Sequence, residues 1–169
     1  MVGLALFASA CSSDDEGSEP TDTTSGSADV VAVDAPGVTD TEIRYSVLAS
    51  ASNDPTGQCG LPCFATGVQA YFDYVNTEKG GIYGRQLVAA DLVDDEFGKN
   101  QEKALDIIAA DNTFGTFASS SVPSGFQAFA DEAIPLYVWA SNPVAMRGNE
   151  SIFGEARPRC LEVGCWDRS

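Results

Sequence analysis

The stretch FATGVQAYFDYVNTEKGGIYGRQLVAADLVDD, residues 64–95, predicts a helix followed by a strand. Four large apolar side chains in its first half recur with the period of an α-helix and therefore share one face. They are Val68, Tyr71, Phe72 and Val75. The polar residues on the other side are Gln69, Asp73 and Asn76. The pattern predicts an amphipathic helix that buries its four apolar side chains.

The second half of this stretch ends the helix and begins a strand. Gly80 and Gly81 can adopt the left-handed backbone conformation that turns the chain after a helix. Residues 86–93 form a nearly continuous apolar run, which is typical of a strand covered on both faces in a parallel sheet. The acidic pair Asp94 and Asp95 marks the end of this strand.

Strands and helices alternate through the rest of the chain. Apolar and polar residues alternate at 42–48, which predicts a first strand, and residues 49–62 have the composition of a loop. Two later helices are predicted from apolar stripes, one with Gln101, Ala104, Leu105 and Ile108, and one, capped by Ser124, with Phe126, Phe129, Ala130 and Ala133. The later strands are predicted at 113–118 and 136–140, with an optional one at 151–153. The resulting βαβαβαβ order predicts an α/β fold with a Rossmann-like parallel sheet.

Charge and composition exclude several classes of function. The chain has 169 residues, 44% of them hydrophobic, which is enough for one domain with a buried core. Its 25 acidic and nine basic residues give a net charge of -16, which argues against nucleic acid because phosphate binding needs lysine and arginine. The sequence contains no histidine, the commonest general base and metal ligand. We predict no catalytic residue, no metal site and no cofactor.

The first 40 residues predict an export signal and a tether. Within residues 1–11, the apolar stretch 2–8 is too short to span a bilayer, and small residues at 8–10 precede Cys11, as in the remnant of a bacterial lipoprotein signal whose cysteine carries the lipid. Residues 12–40 are acidic and rich in Ser, Thr, Gly and Pro, which predicts a disordered acidic tether. The alternative is a frayed apolar tail with a buried Cys11.

Hydroxyl-bearing turns are predicted to gather at one edge of the sheet. Ligands of parallel sheets bind beyond the carboxyl ends of the strands. Three of the four predicted ends carry hydroxyls, at Ser50, at Ser119, Ser120 and Ser121, and at Ser141. The turns at Ser50 and Ser119 lead towards helix N-termini, whose free N–H groups attract an anion such as a carboxylate. Such a site suits holding a small polar molecule better than transforming it.

The sequence resembles the N-terminal lobe of type I periplasmic solute-binding proteins, specifically the branched-chain amino acid and amide group that serves ABC importers. The likeness rests on Tyr45-Ser46-Val47 as first strand, GVQAYFDYVNTEKGGIYGRQL, the Asp94-Asp95 strand end, the serine triplet and IPLYVWASNP. It covers residues 41–154, the expected ligand-binding lobe. The resemblance implies that the chain binds an amino acid-like solute and delivers it to transporter permease subunits.

The resemblance also implies which side chains hold the solute. In that family the first serine of the triplet and the residues after the fourth strand hold its carboxylate and ammonium groups. Those positions are Ser119, Trp139, Ala140 and Ser141. Trp139 departs from the small residue usual there, and its indole would reshape the pocket and disfavour an aliphatic amino acid. The alternatives are core packing for Trp139 and an ordinary turn or cap for the serines.

Length separates this chain from that family. Its members close two lobes around the ligand, whereas this chain stops where the crossover to a second lobe is expected. We therefore expect an N-terminal lobe truncated before the second one, with an irregular or truncated tail at 155–169. A single lobe should bind weakly, because its ligand stays half exposed to water.

Cysteine spacing predicts a disulfide next to the expected site. Four cysteines remain beyond Cys11, and an even number suggests disulfides in an exported chain. Cys59 with Cys63 would close a small loop, while the pairing of Cys160 and Cys165 is left open. A four-thiolate zinc site is the alternative, which the spacings and an oxidising compartment disfavour.

Two other functions are compatible with such a sheet. A sensor or receptor ectodomain would share the lobe and differ in the domain attached after it. An enzyme would need a phosphate loop after the first strand or a catalytic base. The segment ASASNDPTG, residues 49–57, does not fit the phosphate-loop pattern G-x-G-x-x-G, and the acids near enough to act as a base are Asp94 and Asp95. We expect an exported, lipid-anchored solute-binding protein that is not an enzyme.

Overall fold

The computed structural model describes residues 32–138 and 149–154 of the chain. In this part, five strands form one parallel sheet in the order β2-β1-β3-β4-β5, accompanied by three helices. The strands are β1 (Glu42–Ala49), β2 (Gln86–Asp94), β3 (Gly115–Ser119), β4 (Leu136–Val138) and β5 (Ile152–Gly154), and the helices are α1 (Leu61–Glu78), α2 (Asn100–Ala110) and α3 (Phe126–Asp131). The predicted α/β class, the parallel sheet and the optional last strand are confirmed.

The central strand β1 contributes side chains to two apolar layers. Successive side chains of a strand point to opposite faces of the sheet. Tyr45 and Val47 therefore pack with α1, whereas Leu48 packs with α2 and α3. Every residue from 45 to 49 is at most 9% exposed. Strand β1 is thus buried on both faces, and its carboxyl end lies in the interior of the sheet.

Helix α1 buries three of the four predicted apolar residues, Val68, Phe72 and Val75. Its buried residues are Leu61, Ala65, Val68, Phe72 and Val75. Tyr71 is 59% exposed, so the prediction that it faces the core is wrong. Adjacent residues of an α-helix lie about 100° apart around the axis, and a face centred on Phe72 leaves Tyr71 in solvent. The helix also begins at Leu61, which brings Pro62 from the predicted loop into the first turn, where proline is tolerated.

Two glycines follow α1, as predicted. Gly80 and Gly81 have φ angles of 70° and 82°, and a Cβ on Gly81 would clash with the carbonyl oxygen of Arg85. Asn76, in contrast, does not face away from the sheet as predicted. It is partly buried, and its side-chain amide is hydrogen-bonded to the backbone of Leu87 in β2. This bond ties the end of the helix to the start of the next strand.

Strand β2 lies at an edge of the described sheet, and the prediction that both of its faces are covered is wrong, because Leu92 is exposed. It pairs with β1 alone among the described strands. Leu87 is buried, whereas Leu92 is 59% exposed. The apolar run indicated a parallel strand correctly, but it carries no information about the position of that strand in the sheet.

Helix α2 is rotated relative to its predicted stripe. Its buried apolar residues are Ala104 and Ile107, while Leu105 is 50% exposed. Lys99 occupies the capping position of α2 and makes no side-chain cap bond. The side chain of Asn100, the first residue of the helix, donates a hydrogen bond to that of Asp95.

Helix α3 buries two of its predicted apolar residues, Phe126 and Phe129. Ala133 lies beyond the end of the helix and is exposed. Ser124 does not cap α3, because the capping position is occupied by Gly125 and makes no side-chain bond. The next strand, β4, is described as far as Val138, and the predicted strand residues 139–140 lie outside the described residues.

The described fold begins a few residues before β1. The carbonyl oxygen of Gly37 accepts a hydrogen bond from the N–H of Arg44 at 2.8 Å, and Val38 forms an antiparallel bridge with Ile43. Residues 1–31, with the predicted signal, Cys11 and most of the predicted tether, lie outside the described residues, as do residues 155–169. None of the helices in the described ranges has the length and apolar character needed to cross a bilayer.

Candidate functional site

The carboxyl ends of β1 and β3 lie side by side where the strand order reverses. From β1 the chain passes to β2 on one side, and from β2 it returns to β3 on the other side of β1. Such a reversal opens a crevice in which sheets of this order bind ligands. Ala49 is paired with Ser119, so Ser50 and Ser120 follow in neighbouring positions. We call this region the β1–β3 edge, and it comprises Ser50, Asp94, Asp95 and residues 119–121.

The carboxylate of Asp95 joins these two strand ends. It is fully buried and accepts four hydrogen bonds. Ser50 Oγ and the N–H of Phe97 donate to Oδ1, at 2.5 and 3.0 Å. Ser120 Oγ and Asn100 Nδ2 donate to Oδ2, at 2.6 and 3.1 Å. A buried carboxylate is unfavourable unless it is hydrogen-bonded, so these four bonds stabilise Asp95. Since both serine hydroxyls donate to the same carboxylate, their positions relative to each other are fixed.

Asn100 extends this network to the helices. Its side-chain amide donates to Asp95, and its Oδ1 accepts the N–H of Gly125, which precedes α3, at 2.8 Å. Gly125 has no space for a side chain, because a Cβ there would lie 2.7 Å from the carbonyl oxygen of Asn100. The starts of α2 and α3 are thereby held together at the β1–β3 edge.

Asp94 holds the loop that follows β1. Its carboxylate accepts hydrogen bonds from the N–H of Ala51 at 2.8 Å, the hydroxyl of Ser52 at 2.6 Å and the N–H of Glu96 at 2.8 Å. Burial alone would raise the pKa of Asp94, but these hydrogen bonds and a further one from the N–H of Ser52 outweigh it and lower the pKa from 3.8 to about 2. Asp94 is therefore ionised at neutral pH.

The helix N-termini beside this edge offer fewer free N–H groups than the sequence predicted. In α1 the N–H of Leu61 donates to the carbonyl oxygen of Ser50 at 2.7 Å, and Pro62 has no N–H. Before α3 the N–H of Gly125 is already bonded to Asn100. At these described positions the donors predicted to attract an anion are therefore engaged within the protein.

The described residues include four of the seven predicted ligand contacts, and all four lie at this edge. Ser50 is 5% exposed and so lies beneath the surface. Ser119 and Ser120 are partly exposed, and Ser121 is exposed. The other three, which lie outside the described residues, are Trp139, Ala140 and Ser141. Contact with a ligand stays a prediction for all seven.

The predicted disulfide between Cys59 and Cys63 is confirmed, with the two Cα atoms 5.5 Å apart. It links the loop after β1 to the first turn of α1. Because both sulfur atoms are bonded to each other, neither is available as a zinc thiolate, and the four-thiolate alternative is wrong. Cys160 and Cys165 lie outside the described residues.

Sequence reasoning missed the two residues that organise the edge. The pattern assigns Asp95 to the end of a strand and gives Asn100 no role. The sequence feature that could have identified them is an acid directly after an apolar strand, followed five residues later by an amide at the start of a helix. That spacing alone does not predict that Ser50 and Ser120 meet at the same carboxylate.

A hollow of about 390 Å³ lies at the opposite, amino end of the sheet. Its lining is largely apolar and includes Pro36, Ile107, Phe114 and Pro135. Because parallel sheets bind ligands at the carboxyl ends of their strands, we place the candidate site at the β1–β3 edge instead.

Comparison with known proteins supports the fold. A solved structure of a fatty acid ABC transporter substrate-binding protein from Thermomonospora curvata is similar to this chain, with a TM-score of 0.55 and 22% sequence identity. The match covers 70% of this chain and 30% of that protein. No protein-family model and no curated protein sequence matches the chain. At this identity the likeness shows only that the chain shares the fold of part of that protein.

Proposed function

We propose that this chain is the solute-binding component of an ABC importer and that it binds an amino acid, or a related small amide or zwitterion, at the β1–β3 edge. The observation that carries the proposal is the convergence of Ser50 and Ser120 on Asp95 where the strand order reverses. The fold shared with a substrate-binding protein of an ABC transporter supports solute binding as the general role.

In this proposal the protein acts outside the cytoplasm. A lipid on Cys11 attaches it to the membrane, and the folded surface delivers the solute to permease subunits. The disulfide between Cys59 and Cys63 supports export, because such bonds persist in oxidising compartments. The net charge of -16 supports a partner other than nucleic acid.

Binding, rather than a reaction, fits the two acids at the edge. Asp95 accepts four hydrogen bonds, which occupy the lone-pair sites of its two oxygens. Asp94 has a pKa of about 2, so it is a weak base at neutral pH. Neither carboxylate is suited to removing a proton from a substrate.

We assign the ligand contacts to the exposed side of the edge. Ser119, Ser120 and Ser121 contact the solute, and Ser50 supports them from beneath through Asp95. The segment after β4 completes the site with Trp139, Ala140 and Ser141. These contacts account for the carboxylate and ammonium groups of a zwitterion.

The proposal is tested by titrating the full chain with the standard amino acids, acetamide, urea and sodium decanoate, with binding followed by NMR chemical-shift changes. We expect an amino acid or amide to bind, with an affinity on the order of millimolar because the described serines at this edge leave the ligand partly exposed to water. Ser121→Ala should weaken this binding about fivefold through loss of a hydrogen bond. Thr66→Ala, which removes an exposed hydroxyl from α1, is the control and should have no effect.

Two results would contradict parts of this proposal. If none of these compounds binds, the site assignment and the solute class are both wrong. Binding of decanoate without any amino acid or amide would preserve the solute-binding role and exclude the proposed solute class.

A further inference from the structure

The hydroxyl protons of Ser50 and Ser120 both point towards the buried carboxylate of Asp95. Ser50 Oγ donates to Asp95 Oδ1, and Ser120 Oγ donates to Asp95 Oδ2. A serine hydroxyl has one proton and two lone pairs. Once its proton is bonded to Asp95, the oxygen of Ser120 can only accept a hydrogen bond from a ligand.

Ser120 is the member of this pair that a ligand can reach. Ser50 is 5% exposed, whereas Ser120 is partly exposed. Asp95 is fully buried and its oxygens are engaged by four donors, so it meets no ligand directly. A solute at this edge therefore contacts an oxygen whose hydrogen-bonding direction Asp95 has set.

The surroundings of Ser120 also favour a donor over an acceptor. The N–H groups of Leu61 and Gly125, which begin the neighbouring helical segments, are bonded within the protein. Asp94 and Asp95 place two carboxyl groups at the edge, and Glu96 comes directly after them. The nearby cation Lys99 is paired with Glu96 at 2.8 Å. The local charge is thus negative, which attracts a cationic group.

We propose that Asp95 is a positioning residue that makes the Ser120 side of the β1–β3 edge an acceptor, so that it selects the ammonium or another N–H donor of the solute over a carboxylate. This inference rests on the proposed function and specifies which end of a zwitterion lies here. Asp95 acts through the serine oxygens rather than by touching the ligand.

Asp95→Asn is the variant that tests this role. The asparagine side chain has nearly the same shape, but it replaces one acceptor oxygen with an amide donor. One serine hydroxyl then has to accept from the amide, and its proton becomes available to the ligand. We expect affinity for an ammonium probe to fall about tenfold, the scale of one hydrogen bond to a charged group, and affinity for a carboxylate probe to rise, because a donor is gained and a negative charge is lost.

The probes are two matched sets, L-alanine with ethylamine and propionate, and L-leucine with 3-methylbutylamine and 4-methylpentanoate. Within each set the amine lacks the carboxylate and the acid lacks the ammonium. NMR titration of the full chain measures the affinity ratio of amine to acid for the wild type and Asp95→Asn. Asp106→Asn removes the same charge from the exposed face of α2 and should leave the ratio unchanged.

Circular dichroism of Asp95→Asn establishes whether that variant folds. If it does not, Ser120→Ala provides the same test, because it removes the accepting oxygen and should lower the affinity for the amine while sparing the acid. If Asp95 had only a structural role, its replacement would lower the affinities for the amine and the acid equally, and their ratio would stay constant.

The outcomes separate this inference from the proposed function. Amines that bind better than the matched acids, with a ratio that falls in Asp95→Asn or Ser120→Ala, support the positioning role. Amino acid binding with equal affinity for amine and acid, or with a ratio unchanged in these variants, overturns the inference and leaves the proposed function intact. If neither the amino acids nor the amines bind, both are overturned.

Discussion

The side chain of Asn76, near the end of α1, makes two hydrogen bonds with the backbone of Leu87, the second residue of β2. Asn76 Nδ2 donates to the Leu87 carbonyl oxygen at 2.9 Å, and the Leu87 N–H donates to Asn76 Oδ1 at 2.8 Å. Because β2 is an edge strand among the described strands, these bonds use backbone groups that no described strand pairs with. Asn76 thus connects the helix to the strand that follows it.

Replacement of Asn76 should destabilise this connection. Asn76→Ala leaves a partly buried donor and acceptor of Leu87 without partners, and we expect a loss of about 1–3 kcal/mol in the free energy of unfolding. Urea denaturation measures it. The control is Gln69→Ala, which removes an exposed bond to Asp73 on the same helix and should cost less than about 0.5 kcal/mol. Equal effects of the two variants would contradict the role of Asn76.

Phe72 and Tyr71 form a matched pair of adjacent aromatic residues on α1. Phe72 is 1% exposed and Tyr71 is 59% exposed. We expect Phe72→Ala to destabilise the protein by about 3–5 kcal/mol, because it removes a large core side chain. Tyr71→Ala should change the unfolding free energy by less than about 0.5 kcal/mol. Unfolding free energies are measured by thermal or urea denaturation. A loss for Tyr71→Ala well above this limit would support the sequence prediction that Tyr71 is buried.

Tyr45 should make the protein sensitive to alkaline pH. Burial, with a smaller contribution from nearby Tyr137, raises the pKa of Tyr45 from 10.0 to about 12. The unfolded chain then loses this proton at lower pH than the folded protein, so stability falls as pH rises from about 10 to about 12. Tyr45→Phe should weaken this dependence. Urea midpoints measured across that range, with Tyr83→Phe as an exposed control, test it.

Asp94 should have the opposite effect at acidic pH. Its pKa is about 2 in the folded protein and 3.8 in the reference state, so its contribution to stability is complete above about pH 4 and is lost as pH falls towards 2. Asp94→Asn should therefore flatten the acid limb of the stability profile, while Asp106→Asn should not. An identical acid limb in the wild type and Asp94→Asn would show that the loop bonds do not hold this carboxylate.

Local patterns in the sequence predicted much of the fold. The apolar period of α1, the glycines after it and the apolar run of β2 are properties of neighbouring residues, and each gave the correct type of element. The burial of individual side chains was less predictable, as Tyr71 and Leu105 show. The same apolar pattern is compatible with two buried faces that differ by a small rotation about the helix axis. Which face is buried depends on the surface against which the helix packs.

The sequence predicted where the residues of the candidate site lie, but not the hydrogen bonds that connect them. The rule that strand ends gather along one edge located Ser50 and the serine triplet. The identity of Asp95 as their shared acceptor depends on contacts across 45 and 25 residues of sequence, and no local pattern reports such distances. The same holds for Asn100, which links Asp95 to the start of α3.

The sequence by itself determined the alternation of strands and helices, and with it a parallel α/β sheet, because hydrophobic periodicity and helix-ending residues act over a few neighbouring positions. Tertiary structure alone decided that β2 is an edge strand, that the first donors of the neighbouring helices are engaged, and that two serine protons are bonded to one buried carboxylate. These features depend on which distant segments meet, and it is their packing that sets the direction of each hydrogen bond at the β1–β3 edge.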